Sequence, residues 1–128
     1  MAMTLDGFLP DEDHPLMQWV MTDRHGFPYW RERSSFDLPV GYPMISLIRK
    51  REDNDVPFFY LAEITGIHKM PLLQALLLYG IVDEWIVYSL PLTQGNGTRL
   101  TDGFKAAQWK AVSADSYKNG ICRRVYRQ

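Results

Sequence analysis

The chain has 128 residues, 46% hydrophobic and 23% charged, and a formal net charge of −1 at pH 7. These values predict one globular domain, residues 1–128, that buries a hydrophobic core without the help of disulfides or a structural metal. Its single cysteine, Cys122, excludes an internal disulfide and a cysteine-rich metal site. With neither a signal-peptide pattern nor an apolar run of bilayer-spanning length, we expect a cytoplasmic protein with no membrane partner.

The first 42 residues predict an N-terminal extension with little regular structure. Pro15 stands where a proline suits the first turn of a short helix. The sequence His25-Gly26-Phe27-Pro28 then predicts a break, because glycine and proline interrupt regular elements. Irregular chain is expected from there to residue 42.

Three helices are predicted in the centre of the chain, over residues 43–51, 57–65 and 69–79. The first has an apolar stripe at the i, i+3, i+4 spacing of an amphipathic helix. Prolines suit the starts of the first and second helices. Gly66 and Gly80 predict helix ends, because glycine tolerates the left-handed conformation there.

The C-terminal part is rich in strand-forming residues. Residues 85–90 are β-branched and aromatic, which favours a strand, and Arg99-Leu100 are expected to begin a returning strand. Asn119-Gly120 is a strong hairpin signal between two further strands.

This order of elements predicts an α+β fold of winged-helix-like layout. The expected parts are an N-terminal extension at 1–42, a three-helix helix-turn-helix-like centre at 43–80, and β-hairpins within a β-rich part at 85–128. All three belong to one domain, because a chain of 128 residues fits one domain and contains no internal repeat or low-complexity tract.

The sequence Leu-Ala-Glu-Ile-Thr-Gly-Ile-His-Lys-Met-Pro-Leu occupies residues 61–72. It places Ala62 at the expected helix crossing, Gly66 at a tight turn and Ile67 in the corner. The segment resembles the helix-turn-helix of phage-repressor-like and winged-helix regulators, over about residues 57–80. In that family the second helix of the pair enters the major groove. The resemblance therefore implies DNA contacts from the polar side chains of that helix: His68, Lys69 and Gln74.

Basic residues are concentrated at the C-terminal end. Residues 99–128 hold seven basic and two acidic side chains, a local net charge of +5, which leaves −6 for residues 1–98. A basic segment of this kind binds phosphates or an acidic protein, or it balances the negative charge of the rest of the fold. The cations we assign to DNA here are Arg99, Lys118, Arg123 and Arg124.

The third helix is apolar on most sides, and three interpretations stay open. It is a core helix, a DNA-reading helix, or a helix whose exposed leucines dock a partner. The partner interpretation assigns Leu73 and Leu77, together with Trp30 from the aromatic and arginine-rich segment of residues 19–33. The expected partners are therefore DNA, another protein or a second copy of the chain.

No catalytic or metal-binding pattern is visible in the sequence. Asp11-Glu12-Asp13-His14 predicts a solvated acidic segment, and His25 a turn residue. We expect a protein that is not an enzyme and that needs no metal or cofactor. The function we predict is that of a small DNA-binding or transcription-regulatory protein. The alternative is a protein-interaction module that modulates another macromolecule, of the kind that phages and plasmids encode.

Overall fold

The computed structural model describes residues 1–53 and 58–128, so the helix start predicted at Pro57 lies outside the described residues. The described chain contains both helices and sheets, which confirms the α+β class. None of its helices is long and apolar enough to cross a membrane. In chain order the elements are β1 (Ala2–Thr4), α1 (Pro15–Thr22), α2 (Phe27–Arg33), β2 (Phe36–Asp37), α3 (Met44–Asp53), β3 (Tyr60–Leu61), α4 (Met70–Tyr79), β4 (Glu84–Leu90), β5 (Lys110–Ser116) and β6 (Cys122–Arg127).

The main sheet has the strand order β1-β4-β6-β5. Strand β1 runs parallel to β4, with Ala2 opposite Tyr88, whereas β4, β6 and β5 pair in antiparallel fashion. The hairpin predicted at Asn119-Gly120 joins β5 to β6, and the φ of Gly120 is +88°, as this kind of turn requires. A smaller sheet pairs β2 parallel to β3. The segment predicted as an N-terminal extension therefore supplies a strand to each sheet.

The side chains of β4 alternate between two hydrophobic cores. Ile86, Tyr88 and Leu90 pack with α1 and α2 on one face of the sheet. Trp85 and Val87 pack against the cluster formed by α3 and α4 on the other face. Because a strand points successive side chains to opposite faces, this central strand is covered on both sides.

Helix α4 confirms the third predicted helix and is a core helix. Leu72, Leu73 and Leu76 are buried, and Leu77 is half-buried. Gly80 ends the helix in the left-handed conformation, at a φ of +60°. Leu73, which we predicted as a partner contact, is only 1% exposed and is unavailable to a partner, because it packs with the leucines of the core.

The helix predicted for residues 57–65 is absent from its described part, residues 58–65. Tyr60-Leu61 form β3 instead, opposite Phe36-Asp37 of β2. The aromatic run at 58–60 suits a strand as well as a helix, and the pairing with β2 decides between them. Gly66 is also extended, at a φ of −169°, so the left-handed turn predicted there is wrong.

Two other local predictions are corrected. The break predicted at residues 25–28 is limited to its first two positions, because α2 begins at Phe27 with Pro28 in its first turn. Helix α2 and strand β2 also replace part of the irregular chain expected up to residue 42. The strand expected at Arg99-Leu100 does not return along β4. Arg99 forms a single antiparallel bridge with Phe8, and β4 pairs with β1 and β6.

Candidate functional site

The residues that the helix-turn-helix resemblance assigned to DNA lie around the start of α4. His68 and Lys69 form a 3-10 turn, residues 67–69, and Gln74 is exposed on the helix. The His68 Nδ1 atom lies 3.5 Å from the Glu12 carboxylate. This turn follows extended chain in place of the first helix of a helix-turn-helix pair.

The basic residues assigned to DNA at the C-terminal end have separate surroundings. The Arg99 guanidinium lies over the ring of Phe8, 5.0 Å from the ring centroid. Lys118 and Arg124 are exposed on the β5–β6 hairpin. Arg123 points into the molecule, with a side chain only 13% exposed.

Arg123 lies beside Trp30, the residue that the sequence predicts as a partner contact. Its guanidinium carbon is 5.3 Å from the ring centroid of Trp30 and 5.7 Å from that of Tyr29. The same guanidinium pairs with the Asp115 carboxylate. The Arg123 guanidinium is therefore engaged by groups of the same chain, because both stacking and ion pairing use this planar group.

A large concavity lies between the main sheet and the β2–β3 sheet. It is a cavity of about 710 Å³, within the size range of small-molecule sites. Leu47 of α3 and Leu73 and Leu76 of α4 contribute to its apolar wall. Six aromatic side chains also line it: Phe27, Trp30, Phe58, Phe59, Tyr60 and Trp85.

Glu63 is a buried acidic side chain in the wall of the cavity. Its side chain is 10% exposed, and its two carboxylate oxygens accept hydrogen bonds from Nε and Nη2 of Arg31, each at 3.0 Å. Such a two-point pair holds the carboxylate in one orientation. It also raises the pKa of Arg31. Because a carboxylate has about four acceptor positions and Arg31 uses two, Glu63 can still accept hydrogen bonds from a ligand.

Two ion pairs lie along the rim of the cavity. Arg51 of α3 lies 2.7 Å from the Asp83 carboxylate, and Arg127 of β6 lies 2.6 Å from that of Glu84. Both pairs tie the segment at the start of β4 to neighbouring elements. The four side chains also line the cavity, so its rim is polar while its wall is apolar.

Sequence reasoning missed this site. In the sequence, Arg31 is one of several arginines in an aromatic segment. Glu63 lies within the segment that resembles a helix-turn-helix, where no role was predicted for it. The available signal was a lone acid within the apolar run of residues 58–64. Such an acid needs a partner if the run is buried, but its partner lies 32 positions away in the chain.

Comparisons with known proteins bear on the fold. No protein-family model matches the chain, and no curated protein matches it. The chain is similar to the crystal structure of a proposed riboflavin biosynthesis protein from Shewanella sp. PV-4, with a TM-score of 0.54 and 14% sequence identity. The similarity covers 99% of this chain and 95% of that one. At this identity it shows a shared fold.

Proposed function

We propose that the protein binds a small planar heteroaromatic molecule in the cavity between its two sheets. The observation that carries this proposal is the buried Glu63 carboxylate, which Arg31 holds in place within an aromatic wall. Flat aromatic side chains favour a flat ligand, and a few well-placed polar groups orient it. Glu63 accepts hydrogen bonds from ring N–H groups of the ligand.

The structural neighbour suggests the first compound to test. That protein is named for riboflavin biosynthesis, and its fold is the one described here. Riboflavin has a flat ring system with an N–H group, which suits the aromatic wall and the Glu63 carboxylate. We therefore propose riboflavin and molecules with similar rings as ligands.

Filling the cavity tests where the ligand binds. Ala62 lines the cavity and is half-buried, so Ala62→Phe should place a ring in the space that the ligand needs. Riboflavin fluorescence is titrated with each protein. We expect at least about tenfold weaker binding for this variant, a loss of about 1.4 kcal/mol. The matched control is Ala107→Phe at an exposed position, which should bind like wild type. Equal affinity of both variants would contradict the proposal.

Changing the carboxylate tests its assigned role. Glu63→Gln keeps the shape of the side chain and removes the charge, and a hydrogen bond to a charged group is stronger than one to a neutral group. We expect roughly tenfold weaker riboflavin binding. The control is Glu32→Gln, because the Glu32 side chain is 79% exposed. Thermal unfolding of both variants establishes that the comparison concerns folded protein.

DNA binding, which the sequence predicts, stays a prediction. DNA binding is tested by a gel shift with Arg124→Ala, since Arg124 is exposed whereas Arg123 is stacked and paired. Binding to another protein, the absence of enzymatic activity and the absence of a cofactor likewise await experiment.

A further inference from the structure

A second, shallower pocket of about 320 Å³ opens beside the cavity. Lys50, Phe58 and Tyr60 line both spaces, so the two adjoin along these side chains. Ser35 and Phe36 complete the lining of the second space. We name it the Lys50 pocket. Its position allows one ligand to occupy both spaces.

The Lys50 ammonium lies among aromatic rings. It donates a hydrogen bond to Tyr42 Oη at 2.9 Å and lies 5.7 Å from the Tyr42 ring centroid and 5.9 Å from that of Tyr60. The hydrogen bond to Tyr42 is the main cause that raises the pKa of Lys50. Among the described residues, no carboxylate lies within 4.0 Å of this ammonium. The pocket therefore presents a positive charge.

The surrounding groups suit an anion. Tyr42 contacts the Lys50 ammonium from outside the described lining, whereas Tyr60 is one of the lining residues and its hydroxyl can donate a hydrogen bond to an anion. Phe36 and Tyr60 lie opposite each other in the β2–β3 register, with ring centroids 5.8 Å apart. Asp37 follows Phe36 in β2 and points to the other face, where its charge acts on Arg31. None of the described residues that line the Lys50 pocket carries a carboxylate.

We infer that the Lys50 pocket binds the phosphate group of a phosphorylated heteroaromatic ligand whose ring occupies the cavity, an inference that rests on the proposed function. Lysine binds phosphate as a point charge. A phosphate monoester carries almost two negative charges and three acceptor oxygens, enough for the Lys50 ammonium and a tyrosine hydroxyl together. Phe36 and Phe58, both about half exposed, offer apolar contact to the chain that joins ring and phosphate.

The test compares riboflavin with riboflavin 5′-phosphate, which differ only in the phosphate. We expect wild-type protein to bind the phosphate ester about tenfold more tightly, as one added charge-assisted contact gives. Raising the salt concentration from 0.05 M to 0.5 M should reduce this preference, because salt screens exposed charges.

Lys50→Met keeps the apolar stem and removes the charge. In this variant the affinities for riboflavin and riboflavin 5′-phosphate should become equal, whatever effect the substitution has on binding of the ring, because Lys50 also lines the cavity. The control is Arg49→Met, which removes the neighbouring exposed cation of α3, a residue outside both pockets. Equal affinity of wild-type protein for the two flavins, or a preference that survives in Lys50→Met, would overturn the inference.

Inorganic phosphate separates this inference from the proposed function. If neither flavin binds, the proposed ligand class is wrong, and the Lys50 pocket is tested alone. Titration with sodium phosphate should then shift the NMR signals of the Tyr42 and Tyr60 rings in wild-type protein and not in Lys50→Met. If flavins bind but phosphate and Lys50 make no difference, the cavity proposal stands and the phosphate site is excluded.

Discussion

The hydroxyl of Tyr88, in the middle of the main sheet, donates a hydrogen bond to the backbone carbonyl of His25, with the two oxygens 2.6 Å apart. The same hydroxyl accepts from Trp30 Nε1 at 2.9 Å. Tyr88 is completely buried in the core under α1 and α2. One side chain of β4 therefore holds the connection between these helices and also orients a tryptophan of the cavity wall.

Removing this hydroxyl should destabilise the fold. Tyr88→Phe leaves the His25 carbonyl and the Trp30 N–H without their partner, and an unpaired buried polar group costs about 1–3 kcal/mol. We expect the free energy of unfolding in urea to fall by that amount. The control is Tyr79→Phe, at an exposed tyrosine on α4, which should stay within about 0.5 kcal/mol of wild type. Equal stability of the two variants would show that the hydroxyl contributes nothing.

Stability should also fall at high pH. Burial raises the pKa of Tyr88 from 10 to about 12, because desolvation disfavours the phenolate. The folded state thus retains this proton at pH values where the unfolded state loses it. The stabilisation is fully present below about pH 10 and is lost as the pH rises through about 12. Urea unfolding at pH 9 and pH 11 should show the decrease.

Tyr88→Phe supplies the control for the pH effect. This variant should lose most of the dependence between pH 9 and pH 11. Part of it should remain, because burial also raises the pKa of Tyr117. A variant with the full wild-type dependence would assign the effect to other groups.

Gly26 lies where the chain leaves α1 and begins α2. A Cβ at this position would be 2.1 Å from the backbone oxygen of Val20, which no side-chain movement can relieve. We expect Gly26→Ala to lower the free energy of unfolding by about 1–3 kcal/mol, as overpacking does.

Gly66→Ala is the matched comparison for Gly26. Its Cβ would also meet an atom at short distance, but that atom is the end of the flexible Glu12 side chain. The carboxylate can turn away, so we expect a loss below about 1 kcal/mol. A larger loss at Gly66 than at Gly26 would contradict this interpretation of the two contacts.

Asp6 connects the loop after β1 to the loop after β4. Its carboxylate accepts hydrogen bonds from Thr4 Oγ1 and from the Gly95 amide, each at 2.7 Å, and from the Gln94 amide. The bond from Thr4 is the main cause that lowers the pKa of Asp6 below 3.8. A carboxyl whose pKa is lower in the folded state stabilises the fold at pH values above its pKa in the unfolded chain. This stabilisation is lost as the pH falls through the pKa of the folded state.

Asp6→Asn tests this connection. We expect the variant to be less stable than wild type at pH 7 and the difference to be smaller at pH 3, because protonation of the wild-type carboxyl removes its contribution as the pH falls. Unfolding in urea at the two pH values measures both differences. Asp13→Asn is the control at an exposed acid. A constant difference between Asp6→Asn and wild type at all pH values would rule out the carboxylate as its source.

Sequence alone was sufficient for the elements whose signals are local. Helices α1, α3 and α4 and the Asn119-Gly120 turn follow from prolines, glycines and apolar spacing within a few residues. Tertiary structure determined the conformation of residues 58–61 and the surroundings of Glu63. Strand β3 exists because it pairs with β2, 24 positions earlier, and Glu63 is held by Arg31, 32 positions earlier. Because an aromatic and apolar run fits a helix or a strand equally well, the distant partner determines which one forms, and the same pairing determines where the cavity lies.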